Sequence, residues 1–360
     1  MEIVKSSNGI IPKYLSKQIL TIGPQHINHR GGVGAVIDSY SKYFDEFKYI
    51  KSQKPGSTLT KSVTFIQCLI LLFWKLLTDE HLKIIHIHGA SRGSFYRKYV
   101  VFLIAKYLFR KKLYYHIHGA EYHLFYAESK AVVKKRITKL INNADGIICL
   151  STKWKAFFES NFKPKRIFIV SNIIDYPVHD ARKVIGNQLT FLFLGQIGER
   201  KGIFDILKVL SKNKSKYEGK LQLVIGGNGE LDKLNAIISK YGLETMVDFV
   251  GWISKSEKAN WLQKSNVYIL PSYNEGLPIS ILEAMSYGHP IISTNVGGIS
   301  EIVKPGKNGI LIEPGNLEQI ESAIDFFLHS YEKIETYGKV SKKMVKKHLP
   351  KSVIAELLTI

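Results

Sequence analysis

Short runs of β-branched and aromatic residues alternate with longer segments in which apolar residues recur every three or four positions. This alternation is typical of α/β proteins with parallel sheets. In the first half it predicts strands over residues 18–22, 83–88, 113–118, 146–150 and 167–170, and helices over 33–46, 60–77, 94–109, 130–141 and 152–159. The longest apolar run, from Val63 to Trp74, is too short to span a bilayer. We therefore expect it to form a buried helix.

A polar stretch at residues 176–188 interrupts the alternation and is interpreted as a linker. After it come predicted strands at 189–194, 221–225, 247–250, 267–270, 290–293 and 310–312, with helices between them. The pattern predicts two doubly wound, Rossmann-like domains, residues 1–180 and 181–335, that face a cleft. The helical segment 336–360 is expected to return to the first domain. Ligands of such sheets bind beyond the carboxyl ends of the strands.

The charge is large and unevenly distributed, with a net value of +21. Residues 1–180 hold 28 Lys and Arg against 12 Asp and Glu, whereas residues 181–360 hold 23 against 18. The first half is therefore expected to lie near anionic lipid headgroups, a lipid-linked phosphate or nucleic acid. Cys68 and Cys149 lie in apolar runs, as buried thiols of a reducing compartment do. The amino terminus lacks the apolar segment of a signal peptide, so we expect a cytoplasmic protein.

The most informative segment begins at Asn274 and reads NEGLPISILEA. It follows a predicted strand, and Pro278 suits the first position of a helix. Open amides at a helix start, together with the helix dipole, attract anions. Glu275 and Glu283 add carboxylates that can accept hydrogen bonds from sugar hydroxyls. By spacing alone, both could also be ordinary surface glutamates.

Three further glycine-bearing turns precede predicted helices. The first, GQIGERKG at 195–202, carries Lys201, which could pair with a phosphate or be a simple loop lysine. The second, GGNGE at 226–230, includes Gly227 but lacks the full dinucleotide-binding fingerprint. The third, GGVG at 31–34, includes Gly32 and Gly34 and could approach a phosphate or be a flexible turn.

In their order along the chain, these segments resemble glycosyltransferase family 4, also called glycosyl transferases group 1, whose members have the GT-B fold. The resemblance covers about residues 18–335 and adds HIHG at 116–119, SNIID at 171–175, VGW at 250–252 and TNVGGISEIV at 294–303. Its most specific part is the pair of glutamates separated by seven residues, followed by Gly-Gly-x-x-Glu.

The resemblance implies a role for each matching position. Glu283 is expected to hold the ribose hydroxyls of a nucleotide, and Glu275 the transferred sugar near its C3 hydroxyl. Lys201 would neutralise the diphosphate. The resemblance also implies that amides of Gly276, Leu277 and Ile279 approach the sugar and diphosphate, and that Gly32 to Gly34 lie near the phosphates or the acceptor.

In the first domain, the resemblance assigns His118 to the reacting centre, near the C6 hydroxyl of the sugar. His88 occupies the equivalent place in an earlier His-Ile-His-Gly-Ala unit and is the alternative. Asn172 and Asp175 would shape the cleft.

One position departs from the family pattern. Gln196 stands where the family usually has arginine, so the second cation for the diphosphate is missing, and Arg200 is a candidate substitute by proximity. The chain contains no Asp-x-Asp. We therefore expect a metal-independent enzyme with no cofactor beyond its donor substrate, a UDP- or GDP-sugar.

The resulting prediction is a retaining hexosyltransferase that acts on a saccharide acceptor, expected to be lipid-linked, in bacterial capsule, exopolysaccharide or lipopolysaccharide synthesis. It would be peripheral on the inner face of the membrane and would not bind nucleic acid. Two alternatives stay open: a non-catalytic basic protein that binds nucleic acid or membranes, and a GT-B phosphorylase.

Overall fold

A computed structural model describes residues 11–28, 31–174, 186 and 188–360. The chain forms two compact units, the first comprising Met1–Ile174 with His348–Ile360 and the second Asp175–Lys347. Each unit is built on one six-stranded sheet whose paired strands are all parallel. The predicted α/β class with two doubly wound sheets is confirmed. Most of the predicted linker at 176–188 lies outside the described residues.

The sheet of the first unit has the strand order β2-β1-β3-β4-β5-β6. Its strands are β1 Ile19–Pro24, β2 Lys48–Gln53, β3 Ile84–Gly89, β4 Lys112–Ile117, β5 Gly146–Cys149 and β6 Ile167–Ile169. Strand β2 escaped the sequence prediction because it is a half-polar edge strand with the sequence KYIKSQ. The order reverses between β1 and β3, which makes their carboxyl ends a topological switch point.

Seven helices flank this sheet within the described part of residues 11–174. They are α1 Lys13–Ser16, α2 Gly32–Ser41, α3 Thr58–Thr78, α4 Gly93–Leu103, α5 Tyr122–Glu128, α6 Ala131–Asn143 and α7 Thr152–Asn161. A π-helical turn, Ile104–Leu108, extends α4. The expectation that the apolar run in α3 is buried is wrong. Only 22% of the most apolar 18-residue stretch of α3 is buried, because a single face of the helix packs on the sheet.

The sheet of the second unit has the order β12-β11-β10-β7-β8-β9. Its strands are β7 Leu189–Leu194, β8 Leu221–Gly226, β9 Val247–Gly251, β10 Val267–Leu270, β11 Ile291–Thr294 and β12 Gly309–Ile312. All six match predicted strands. Its helices are α8 Ile203–Lys212, α9 Lys214–Tyr217, α10 Leu231–Lys240, α11 Lys255–Lys264, α12 Ile279–Ser286, α13 Ile299–Ile302, α14 Leu317–His329 and α15 Tyr331–Met344. Here the switch point lies between β7 and β10.

The chain passes back to the first unit at residue 348 rather than at 336. Helix α15 stays with the second unit, where the Ser341 hydroxyl donates to the carbonyl of His289 at 2.7 Å. Only the last helix, α16 Pro350–Leu357, belongs to the first unit. The ring of His348 is hydrogen-bonded to Ser171, and the Tyr114 hydroxyl donates to the carbonyl of Ile360 at 3.2 Å.

Candidate active site

The carboxyl ends of β7 and β10 bring two of the predicted motifs together. Phe191 and Leu192 of β7 pair with Val267 and Tyr268 of β10, so the two strands are direct neighbours. The turn at 195–201 follows β7, and the loop at 271–278 follows β10. Both segments therefore lie at the switch point of the second sheet, where doubly wound proteins bind ligands.

Lys201 and Glu275 form a buried ion pair at this point. The Lys201 ammonium donates to Oε1 of Glu275, and their side chains are 13% and 6% exposed. The Ser272 hydroxyl donates to the same carboxylate oxygen at 2.8 Å. The sequence prediction missed Ser272, although it precedes Glu275 by three residues in the same loop. The pair gives this crevice one acidic and one basic group, each held in a fixed position.

Glycines account for the close approach of these segments. Gly202 has φ +71°, and a Cβ added there would lie 2.1 Å from the carbonyl oxygen of Pro271. Gly297 has φ +53°, and a Cβ there would lie 2.0 Å from the carbonyl oxygen of Glu275. The amide of Gly298 donates to the carbonyl of Gly276 at 2.8 Å. The Gly297-Gly298 pair of the TNVGGISEIV segment therefore packs directly against the loop that carries Glu275.

Helix α12 begins at Ile279, with Pro278 as its N-cap residue. The prediction that Pro278 is the first helical residue is wrong by one position, because its ψ of 118° keeps it outside the helix. No described side chain caps this helix start. Gly276 and Leu277 are buried just before it, and Ile279 is half-buried. The start of α12 therefore presents backbone amides beside the Glu275 loop, as an anion site requires.

Glu283, one turn into α12, is half-buried and pairs with a lysine from the neighbouring helix. The Lys258 ammonium donates to Oε1 of Glu283, and the two side chains are 29% and 23% exposed. Sequence reasoning missed Lys258 because α11 carries no motif and contacts α12 only in the folded unit. Each glutamate of the spaced pair therefore has its own lysine.

The turn after β7 exposes Gln196 and anchors Arg200. The Arg200 guanidinium donates to the carbonyl of Asn274 at 3.0 Å, and its own carbonyl accepts from the amide of Tyr273 at 2.8 Å. Arg200 is thereby tied to the loop that carries Glu275. Gly227 is buried beneath the same turn, where a Cβ would lie 1.8 Å from the carbonyl oxygen of Gly195. The packing of the two turns is sufficient reason for a glycine there.

Several of the predicted site residues belong to the first unit. Helix α2 begins at Gly32, which is exposed, and Gly34 is buried one half-turn later. A Cβ at Gly32 would meet no described atom within 4 Å, so packing does not demand this glycine. Asn172 is buried, and Asp175 lies outside the described residues.

Four histidines stack on one face of β3 and β4, and His118 is the outermost. His86 and His88 lie on β3, where His88 pairs in register with His116 of β4. Nδ1 of His88 lies 2.9 Å from Nε2 of His118. Burial lowers the pKa of His86 to about 4 and that of His118 to about 3, so the rings are neutral at pH 7. Nδ1 of His118 is buried and has no hydrogen-bond partner among the described residues.

The same stack contains the one group among the described residues that could hold a metal ion. His86, His88 and His116 each offer a ring nitrogen, and these atoms lie within 4.8 Å of one another. Imidazole suits zinc, copper or nickel. The group belongs to the first unit, whereas Glu275 and Glu283 of the second unit are each paired with a lysine. Metal-independent transfer stays a prediction.

Two family profiles match almost consecutive parts of the chain. The profile described as Glycosyltransferase Family 4 matches residues 40–176, and the profile described as Glycosyl transferases group 1 matches residues 178–344. They meet where the first unit gives way to the second.

Individual proteins show the same likeness. An uncharacterized glycosyltransferase of Haemophilus influenzae is 26% identical over 53% of this chain, and the match spans only 54% of that relative's length. The UDP-Gal:alpha-D-GlcNAc-diphosphoundecaprenol alpha-1,3-galactosyltransferase of Escherichia coli is 26% identical over 74% of this chain and 72% of its own. The structure of sucrose-phosphate synthase from Thermosynechococcus elongatus superposes with a TM-score of 0.79 at 18% identity, over 94% of this chain and 97% of that one.

The superposition shows the GT-B fold, and the two profiles cover more than four-fifths of the sequence. The switch-point segments with Lys201 and Glu275 lie inside the second profile. The chain therefore belongs to the group 1 glycosyltransferases with the GT-B fold.

Proposed function

We propose that this glycosyltransferase moves a hexose from a UDP-sugar to a hydroxyl of a lipid-linked saccharide, with retention of anomeric configuration. The observation that carries the proposal is the buried Lys201–Glu275 pair at the switch point of the second sheet. The name of the Escherichia coli relative, a transferase from UDP-galactose to a diphosphoundecaprenol-linked sugar, supports the choice of donor and acceptor class.

The second unit would bind the donor. Lys201 contacts Glu275, and α12 begins four residues after Glu275. Together they would suit a diphosphate, since a lysine acts as a point charge and the amides of a helix start attract anions. Glu283 would accept hydrogen bonds from the ribose hydroxyls, and Glu275 from the hexose. Gly276, Leu277 and Ile279 would contribute the backbone amides.

Binding of the donor would break the ion pair between Lys201 and Glu275. In the structure, Lys201 satisfies Glu275. An arriving diphosphate offers Lys201 a stronger partner, whereas the sugar hydroxyls offer Glu275 new donors. Ser272 keeps Glu275 oriented during this exchange because it donates to Oε1 independently of Lys201.

Catalysis would rest on stabilisation of the leaving diphosphate. The acceptor hydroxyl would attack the anomeric carbon from the face that the diphosphate leaves, and the departing phosphate would take the hydroxyl proton. In such sites, the largest contribution to the rate usually comes from fixed positive charges and amides that stabilise the negative charge developing in the transition state. Gln196 is neutral, so Arg200, fixed beside the Glu275 loop, is the proposed second cation.

His118 would serve as a neutral hydrogen-bonding group. Its lowered pKa makes it a poor proton carrier at pH 7. The unpartnered Nδ1 suits contact with a hydroxyl of the sugar or acceptor. Gly32 and Gly34, at the start of α2, would let a ligand approach the backbone closely.

The donor is tested first by thermal shift with UDP-, GDP- and ADP-sugars, because a ligand that binds the native state raises its melting temperature. We expect UDP-sugars to give the largest shift and Glu283→Gln to reduce it. Lys233→Ala is the matched control, since it removes an exposed ion pair between Lys233 and Glu199, and Glu199 lies in the turn at 195–201 that also carries Lys201. Equal shifts with all three nucleotides, or a full shift for Glu283→Gln, would argue against the proposed nucleotide site.

Transfer itself is tested with a saccharide linked to a lipid through a diphosphate as acceptor, and the product is analysed by NMR. We expect the anomeric configuration of the donor in the product, and an unchanged rate in millimolar EDTA. An inverted product would refute retention, and loss of the rate in EDTA with recovery in magnesium would refute metal independence.

A further inference from the structure

Helix α3 has two apolar faces, and only one belongs to the core. Thr64, Cys68, Leu72 and Leu76 recur every four residues and are buried against the sheet. The opposite side carries a row of exposed apolar side chains with helical spacing, here called the α3 stripe: Leu59, Val63, Ile66, Ile70, Phe73, Trp74 and Leu77. A surface helix ordinarily turns polar residues outward.

The α3 stripe is too large to be incidental. Leu59, Ile70 and Leu77 are 74%, 64% and 71% exposed, and Trp74 is 58% exposed. Seven neighbouring apolar side chains exposed to this degree form a patch, and a large exposed apolar patch on a folded domain marks an interaction surface. The helix contains neither aspartate nor glutamate. By length and composition it could even cross a bilayer, but its buried face is part of the domain core.

Aromatic and basic residues continue the surface at the end of α3. The ring of Phe73 contacts that of Phe109 with centroids 5.6 Å apart. Beside Phe109, Leu108 and Tyr107 are 61% and 49% exposed. The Lys139 ammonium lies 4.9 Å from the centre of the Tyr107 ring, which joins this aromatic edge to α6.

Helix α6 supplies a basic border to the apolar surface. Lys135, Arg136 and Lys139 are exposed on it, and Lys134 is half-buried. At the end of α3, Lys75 lies 5.7 Å from the Trp74 ring. The nearest acid in sequence, Asp79, is paired with Lys48, and Glu80 is exposed beside it. An apolar helix with aromatic residues and lysines at its edge is the composition of elements that lie in a membrane interface.

We propose that the α3 stripe and the basic face of α6 dock this protein on an anionic lipid bilayer. The stripe would enter the boundary between headgroups and acyl chains, with α3 parallel to the membrane, because its other face is fixed to the sheet. The α6 cations would contact lipid phosphates. The charges favour lipid over a second copy of the chain, since the like-charged α6 borders of two copies would repel. The inference is independent of the proposed transfer reaction.

Vesicle co-sedimentation of the full chain tests the proposal. We expect binding to vesicles of phosphatidylcholine with 30% phosphatidylglycerol, and at least tenfold weaker binding to phosphatidylcholine alone. Ile66→Ser with Ile70→Ser should weaken binding at least tenfold, because each change removes a side chain that would be buried in the bilayer. Lys135→Glu with Arg136→Glu should do so in low salt and have less effect in 0.5 M salt.

Tyr241→Ser with Tyr331→Ser is the matched control, because it removes two exposed aromatic side chains from the second unit. This variant should bind like the unchanged chain. Melting temperature and the UDP-sugar shift verify that each variant is folded, which separates failure of docking from failure of the donor site. Trp74→Phe should bind but lose the blue shift of tryptophan emission that accompanies insertion.

Three results would overturn the proposal. The unchanged chain could fail to bind anionic vesicles, or the stripe variant could bind them fully. Alternatively, the stripe variant could change the oligomeric state by light scattering while vesicle binding stays constant, in which case a second copy covers α3.

Discussion

Replacing Lys201 tests the candidate site most directly, because the structure gives this residue both a structural and a functional role. Lys201→Met removes the ammonium that pairs with Glu275, whose side chain is 6% exposed. Breaking a buried pair from one side leaves an uncompensated charge and typically costs about 3–5 kcal/mol. Ser272 still donates to this carboxylate, so we expect about 3 kcal/mol in the free energy of unfolding.

The rate should fall for a different reason. Loss of one fixed donor at a developing anion costs roughly 10²–10³ in kcat. The double variant Lys201→Met with Glu275→Leu removes both charges and should recover most of the lost stability, because apolar residues of similar size replace buried pairs at little cost. It should not recover transfer. Comparison of the single and the double variant with the unchanged chain therefore separates the effect on stability from the effect on catalysis.

Urea unfolding and the release of UDP from the donor measure the two effects. Lys233→Ala serves as the control, since its partner Glu199 lies in the same turn but is exposed. Its unfolding midpoint and rate should match those of the unchanged chain. The reasoning is refuted if Lys201→Met retains kcat within threefold, or if the double variant is no more stable than the single one.

Two further predictions concern residues that the fold holds under constraint. Gly297→Ala should cost about 3 kcal/mol or more and reduce transfer, because φ +53° disfavours a side chain and the Cβ would strike the Glu275 carbonyl. Gly306→Ala, at φ +71° with open space around it, should cost only about 1 kcal/mol and leave transfer intact; equal losses in urea unfolding would contradict this. Burial lowers the pKa of Lys98 to about 7. Between this pH and the ordinary lysine pKa of about 10.4, the unfolded chain keeps a proton on Lys98 that the folded chain has lost. The free energy of unfolding should therefore rise by about 3 kcal/mol between pH 7 and 9.5. Lys98→Met should remove this rise, and an identical pH profile for the variant would show that Lys98 is charged in the fold.

The sequence by itself determined the class of fold and most of the motif positions. Strand and helix periods differ, and five of the six residues of the buried parallel strand β7 are apolar, so eleven of the twelve strands could be predicted. Strand β2 was the exception because an edge strand is only half-buried and follows no apolar run. The Glu275 and Lys201 segments were also found from sequence, because glycine-bearing turns and helix starts are local features.

Only the tertiary structure decided which side chains meet. Lys258 reaches Glu283 from another helix, and Lys201 meets Glu275 across 74 residues, distances that no local pattern encodes. The exposure of α3 could likewise not be predicted from the sequence, because the apolar composition of a helix does not show how much of its surface the sheet covers. Secondary structure follows from the order of neighbouring residues, whereas a site or an exposed face depends on packing between distant segments, and that packing is fixed only when the whole core forms.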